Sequence, residues 1–298
     1  MKALVFPGQG SQYPGMATDL VAASPLARQR FAQAADVLGF DIYAVLSEGT
    51  EEDLKRTAVT QPAIFIHSVV LAEVLGLGQT AQLVAGHSLG EFSALVVAGA
   101  LDFEAGLALV KTRAEAMQRA CDLAPSTMAA IVGLDDAAVE ALCAQVPGVV
   151  PANYNAPGQL VVSGSVAGIE QLVALAKPAG AKLAKVLPVG GAFHSPFMQP
   201  AQDELAQGIE AANFVAPRCP VYQNVDGLPQ TDPVIIRQNL VRQLTAAVRW
   251  TQTVARMAED GVTEFVEVGP GKVLQGLVKR IAPAASVAGV DKLPTTEA

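Results

Sequence analysis

Short apolar, β-branched runs alternate along the chain with longer stretches whose apolar residues recur every three to four positions. The first pattern predicts buried strands, the second predicts amphipathic helices, and their alternation predicts an α/β fold. Strands are predicted at Ala3 to Phe6, Leu83 to Ala85 and Thr263 to Val268. Helices are predicted at Pro25 to Leu38, Gln61 to Leu75, Gly90 to Ala98, Phe103 to Arg119 and Val273 to Ile281. Pro7-Gly8-Gln9-Gly10-Ser11-Gln12 reads as a loop after the first strand, and Gly269-Pro270-Gly271 stops the late one.

The middle of the chain carries a different order. A strand at Thr127 to Val132 precedes a helix at Asp135 to Ala144. Strands at Val149 to Tyr154 and Gln159 to Ser163 are joined by Asn155-Ala156-Pro157-Gly158, then come a helix at Val166 to Ala176 and a strand at Ala181 to Leu187. That β-α-β-β-α-β order is ferredoxin-like. Residues 125–193 are therefore read as an inserted small subdomain, with 1–124 and 194–298 combining into one large α/β domain.

Composition narrows the function classes. Of 298 residues, 51% are hydrophobic, enough for a sizeable core. With 20 Lys+Arg against 28 Asp+Glu, a broad nucleic-acid face is not expected. Cys121, Cys143 and Cys219 are scattered without metal-ligand spacing, so no metal and no disulfide are expected. No run of about 18 apolar residues marks a membrane span, and the apolar start is too short for a signal peptide. These features predict a cytoplasmic protein without membrane attachment.

The candidate chemistry centres on Gly86-His87-Ser88-Leu89-Gly90, between a short strand and a helix of small residues. That is the setting of a nucleophile elbow, in which flanking glycines allow a tight turn and the helix N-terminus favours negative charge. The backbone N–H of Leu89 is a natural oxyanion donor, and the first glycine loop suits a second one. A serine nucleophile needs a base, and the chain has only His67, His87 and His194. His67 lies in the apolar run Pro62 to Val70 and reads as a satisfied core or surface histidine. His87 adjoins Ser88, and on a sharp turn it should point away in a supporting role. Elimination leaves His194, in the loop Gly190 to Pro196. No acidic residue identifies itself as a third member, so a backbone carbonyl could orient the base. On the Phe103 to Arg119 helix, Val110, Arg113, Ala114 and Met117 share one face. An arginine there is either part of an internal ion pair or a clamp for a substrate carboxylate.

At these residues the sequence closely resembles the malonyl-CoA:acyl-carrier-protein transacylases over nearly its whole length. The likeness runs through Phe6 to Gln12, Gly86 to Glu91, Val110-x-x-Arg113-x-x-x-Met117-Gln118, Asn155-x-Pro157-x-Gln159 and Gly191-Ala192-Phe193-His194-Ser195-Pro196-x-Met198. It continues in Asn224-Val225, Gln243-Leu244, Val248 to Thr251 and Glu267 to Leu274. The resemblance implies an α/β-hydrolase-like core with a parallel sheet plus the ferredoxin-like insert. It implies malonyl transfer from malonyl-CoA to an acyl carrier protein by a ping-pong route, without a cofactor. The implied roles are Ser88 as nucleophile, His194 as base, Gln9 and Leu89 N–H as oxyanion hole, and Arg113 on the malonyl carboxylate. The Gln243 carbonyl would orient His194, with His87 and Asn155 in support. A monomer or weak oligomer is expected. Ala246-Ala247 departs from a proline common among relatives, which bears on the path after Gln243. Lys182, Lys185, Lys272, Lys279 and Arg280 are candidate contacts for the carrier. Rival readings are a serine thioesterase, the malonyl-loading subunit of a malonate decarboxylase, and a non-catalytic scaffold.

Overall fold

The structure, a computed structural model, describes residues 1–294. Its strands are β1 (Lys2–Phe6), β2 (Leu83–Gly86), β3 (Ser126–Val132), β4 (Val150–Ala156), β5 (Gln159–Ser165), β6 (Leu183–Val186), β7 (Val221–Tyr222), β8 (Pro229–Gln230), β9 (Glu264–Val268) and β10 (Ser286–Val290). They form two sheets, ordered β10-β9-β1-β2-β7-β8 and β4-β5-β3-β6. The first runs parallel from β10 to β7, with only β8 antiparallel. The second is antiparallel throughout.

Strand alternation explains the layering. In β1, Leu4 and Phe6 face a core built with the helices Pro25–Leu38, Thr57–Val74, Gly90–Val97, Phe103–Leu123 and Gln199–Ala211. Ala3 and Val5 face the other side, beneath Trp250–Glu259 and Val273–Ile281. Burial on both faces is what a parallel sheet demands, and it accounts for the unbroken apolar run of β1. In the four-stranded sheet, Ala129, Ile131, Leu160 and Val162 pack on the helices Asp136–Gln145 and Val166–Ala176.

The helices Pro25–Leu38, Val166–Ala176 and Val273–Ile281 have the predicted bounds. The predicted Gln61 helix instead starts at Thr57 and carries Pro62 inside it. Asn155 belongs to β4 rather than to the connection after it. Thr57–Val74 is the one helix among the described residues long and apolar enough to cross a membrane, and 78% of it is buried inside the protein. The segment bearing Ala246-Ala247 follows a defined path: Val248 N donates to Ala152 O at 2.8 Å and Tyr154 N donates to Val248 O at 2.9 Å. It therefore extends the β4 edge without help from a proline.

Candidate active site

The parallel strands β9, β1, β2 and β7 end side by side, and the loops leaving their C-terminal ends meet there. Such a crevice is where open α/β sheets gather chemistry. Ser88 sits in the turn between β2 and the Gly90–Val97 helix with φ of +53°. A non-glycine residue held there costs about 1–3 kcal/mol, so its surroundings must enforce it. Two features do. A Cβ on Gly90 would lie 2.1 Å from Phe6 O, so only glycine lets the helix start this close to β1. Asn224 brackets the turn, accepting from Ser88 N at 2.7 Å and donating to Gly86 O at 2.7 Å.

His194, also at positive φ (+57°), brings Nε2 to 2.7 Å from Ser88 Oγ. Its loop is pinned by the four-stranded sheet. Ser126 Oγ accepts from Ala192 N at 3.1 Å, and Ser163 Oγ and Thr127 Oγ1 donate to Phe193 O and Val189 O. His194 Nδ1 lies 3.0 Å from Gln243 O. A carbonyl only accepts, so Nδ1 carries the proton and Nε2 keeps its lone pair for the serine hydroxyl. Burial, then the charge of Arg113, lowers the His194 pKa to about 3, so the imidazole stays in its basic form at neutral pH.

Arg113 is 1% exposed, on the buried face predicted for it. It donates to Gln61 Oε1 at 2.7 Å, Ser88 Oγ at 3.0 Å and Gln243 Oε1 at 3.4 Å. Its guanidinium carbon stands 5.8 Å from the Phe92 ring centroid. Among the described residues no carboxylate lies within ion-pair distance of it. The internal ion-pair alternative is therefore not what the packing provides. Burial lowers the Arg113 pKa to about 10, with Glu91 opposing the shift, and the group remains cationic at neutral pH.

The remaining expected residues fall into place around this set. His87 points away from Ser88, with Nε2 2.8 Å from Asn155 Oδ1 and its ring 5.6 Å from that of Trp250. Leu89 N–H has no acceptor among the described residues, nor does Gln9 N–H. The Gln9 loop lies against the elbow, since a Cβ on Gly8 would stand 2.6 Å from His87 O. His67 corrects an expectation: it is fully buried, and neither ring nitrogen makes a hydrogen bond of good geometry among the described residues, although the Asp291 backbone and the charges of Asp19 and Asp291 are near enough to favour its protonated form. Four side chains of the network carry no role that the sequence alone assigns: Gln61, Gln223, Asn224 and Glu91. Gln61 stood out only as a polar residue in an apolar run, and Glu91 as the one charge in an otherwise apolar helix.

No group of three or more His, Cys, Asp or Glu side chains among the described residues could hold a metal ion. A cleft of about 590 Å³ opens elsewhere, between Val69, Val97, Phe103 and Arg218, and it contains none of the groups above.

Known proteins share this framework. The acyl transferase domain family matches residues 3–294. The malonyl CoA-acyl carrier protein transacylase of Escherichia coli K12 is 44% identical over 295 residues, covering 97% of this chain and 96% of its own. The crystal structure of an acyl carrier protein S-malonyltransferase from Vibrio cholerae matches with a TM-score of 0.93 and 45% identity, over 98% of this chain and 97% of that one. A malonyl-transacylase solved in complex with a type II PKS acyl-carrier protein matches with a TM-score of 0.94 and 44% identity, over 98% and 96% of the two chains.

Proposed function

The chain belongs to the acyl transferase domain family, and from that membership we propose that it moves malonyl from malonyl-CoA to the phosphopantetheine thiol of an acyl carrier protein, through an ester on Ser88. The observation that carries the reading is Arg113. A buried guanidinium that touches the nucleophile, with no protein carboxylate on it, suits an acyl group that brings its own carboxylate.

In the first half-reaction His194 Nε2 takes the Ser88 proton as Oγ attacks the thioester carbonyl. The oxyanion lies between the N–H groups of Leu89 and Gln9, each worth on the order of 10²–10³ in rate. The C–S bond then breaks, and coenzyme A leaves as a thiol with the proton from His194. In the second, His194 takes the carrier thiol's proton, the thiolate attacks the ester, and Ser88 recovers its hydroxyl. Arg113 holds the malonyl carboxylate throughout. Gln243 O keeps the imidazole in one tautomer, while His87 and Asn155 brace the elbow against the four-stranded sheet. No redox or metal step enters this scheme.

We read the six-stranded unit as an α/β-hydrolase-like core and residues 125–193 as a ferredoxin-like insert, in a cytoplasmic protein. Lys182, Lys185, Lys272 and Lys279 are exposed and suit an acidic carrier; Arg280 is exposed too, but its guanidinium is already engaged, donating to Pro157 O at 2.8 Å.

Intact-mass spectrometry tests the proposal. Malonyl-CoA should add one malonyl group to the wild-type chain and none to Ser88→Ala, and a holo carrier protein should remove it. An adduct that survives in Ser88→Ala, or one released only to water, would overturn the assignment.

A further inference from the structure

Outside the residues that touch the reacting atoms, one ionisable group is tied to several of them at once. Glu91 is 1% exposed in the first turn of the Gly90–Val97 helix. Its Oε1 accepts from Gln223 Nε2 at 2.9 Å, and its Oε2 accepts from Asn224 N at 2.9 Å and Gln243 Nε2 at 3.1 Å.

The orientation of both amides is fixed by their other partners. Gln223 Nε2 also donates to Ile236 O while its Oε1 accepts from Asn239 Nδ2. Gln243 Nε2 also donates to Ser88 O while its Oε1 accepts from Arg113 Nη2. Each hydrogen-bond partner of the carboxylate is therefore an N–H donor, and a Glu91 protonated on a bonded oxygen would direct its own hydrogen at another hydrogen. Burial and, less strongly, the Asp226 carboxylate push the Glu91 pKa up, while these three donors and the helix N-terminus favour the ionised form.

We infer that Glu91 is a positioning residue for the acyl transfer proposed above, on which this inference rests: its carboxylate fixes Gln243, and Gln243 in turn sets both His194 and Arg113. The side-chain amide of Gln243 bridges Glu91 to the Arg113 guanidinium, and its backbone carbonyl orients the His194 ring. The same carboxylate holds Asn224 N, and the Asn224 side chain brackets the Ser88 turn. The acid absent from the histidine is thus present one residue removed. It balances the buried arginine through an amide and leaves the guanidinium's own face to the substrate.

Glu91→Gln keeps the shape, removes the charge, and places an amide hydrogen against at least one donor. Two readouts test it: labelling of Ser88 by a fluorophosphonate, followed to its end point, and the malonyl-to-acetyl ratio of kcat/KM in acyl-enzyme formation. The labelling rate should fall on the order of 10²-fold, with the end point still complete, and the malonyl preference should narrow. A lower end point with an unchanged rate per labelled site would mean that Glu91 supports only the fold, and would overturn the inference. Wild-type rate and ratio would overturn it too. If Glu91→Gln does not fold, Glu91→Asp carries the same readouts, because the shorter side chain keeps the charge but cannot span the same donors. Labelling needs no malonyl-CoA. A wild-type chain that labels but takes up no malonyl would sink the proposed function and not the role of Glu91.

Discussion

Arg113→Ala separates a substrate clamp from a structural arginine. The side chain is 1% exposed and makes three hydrogen bonds, one of them 3.0 Å to Ser88 Oγ. Truncating one partner of a buried, hydrogen-bonded charge pair costs about 2–5 kcal/mol. At about 1.4 kcal/mol per decade, that is roughly 30- to 4,000-fold in kcat/KM for malonyl-CoA. Acetyl-CoA offers the guanidinium no anion, so it loses only what the arginine does for Ser88 Oγ and the fold. Removing the arginine also lifts a penalty on acetyl, which otherwise leaves a buried charge without a ligand partner. The informative quantity is the malonyl-to-acetyl ratio from competition between the two thioesters, read by intact mass. Any loss of folded protein cancels in that ratio. A fall of about 30-fold or more is expected from the same pair energy. Equal losses for both substrates would refute the clamp.

The pH dependence of acylation follows from His194. Its pKa, lowered to about 3 by burial and Arg113, should leave kcat/KM level from pH 8 to pH 5, and an acid limb near pH 6.5 would refute this. In Arg113→Ala, loss of the neighbouring cation should move that limb to higher pH. His67 bears on stability. Its folded pKa is lowered to about 4 from 6.5, chiefly by burial. The unfolded chain therefore binds the proton first, and wild-type stability drains away as pH falls below 6.5 towards 4. His67→Leu removes two buried ring nitrogens that make no hydrogen bond of good geometry and should raise Tm, by a margin that widens from pH 7 to pH 5 in thermal melts. A margin that does not change with pH would contradict the account.

Much of the site was legible in the sequence because its signals are local. A serine between two glycines at a strand-to-helix junction needs that turn, three histidines leave few candidates for a base, and one helix periodicity buries Arg113. The network behind them depends on tertiary contacts. Gln243 reaches Arg113, Ser88 and Glu91 across more than a hundred residues of chain, and nothing near it in the sequence announces that. The helices Gln199–Ala211 and Pro233–Arg242 were missed because each buries a thin stripe, Ala201, Leu205 and Ile209 in one and Ile236, Asn239 and Leu240 in the other. β7 and β8, at two residues each, lie below any usable periodicity. The error at His67 has a different source: an apolar run predicts burial, and no pattern predicts whether a buried ring finds partners.

The lacing of Val248 onto β4 has a consequence for building hybrid enzymes. Ser88 belongs to the six-stranded sheet, His194 rides on a loop buttoned to the four-stranded one, and the Gln243 carbonyl that holds the His194 ring lies five residues before the seam. A graft cut at the ends of the small sheet alone would carry off the buttons and leave the seam behind. An exchange between relatives should therefore move the β4 edge and the Gln243 to Val248 stretch together, as one cassette, if donor and recipient are to close on the same reach between imidazole and hydroxyl.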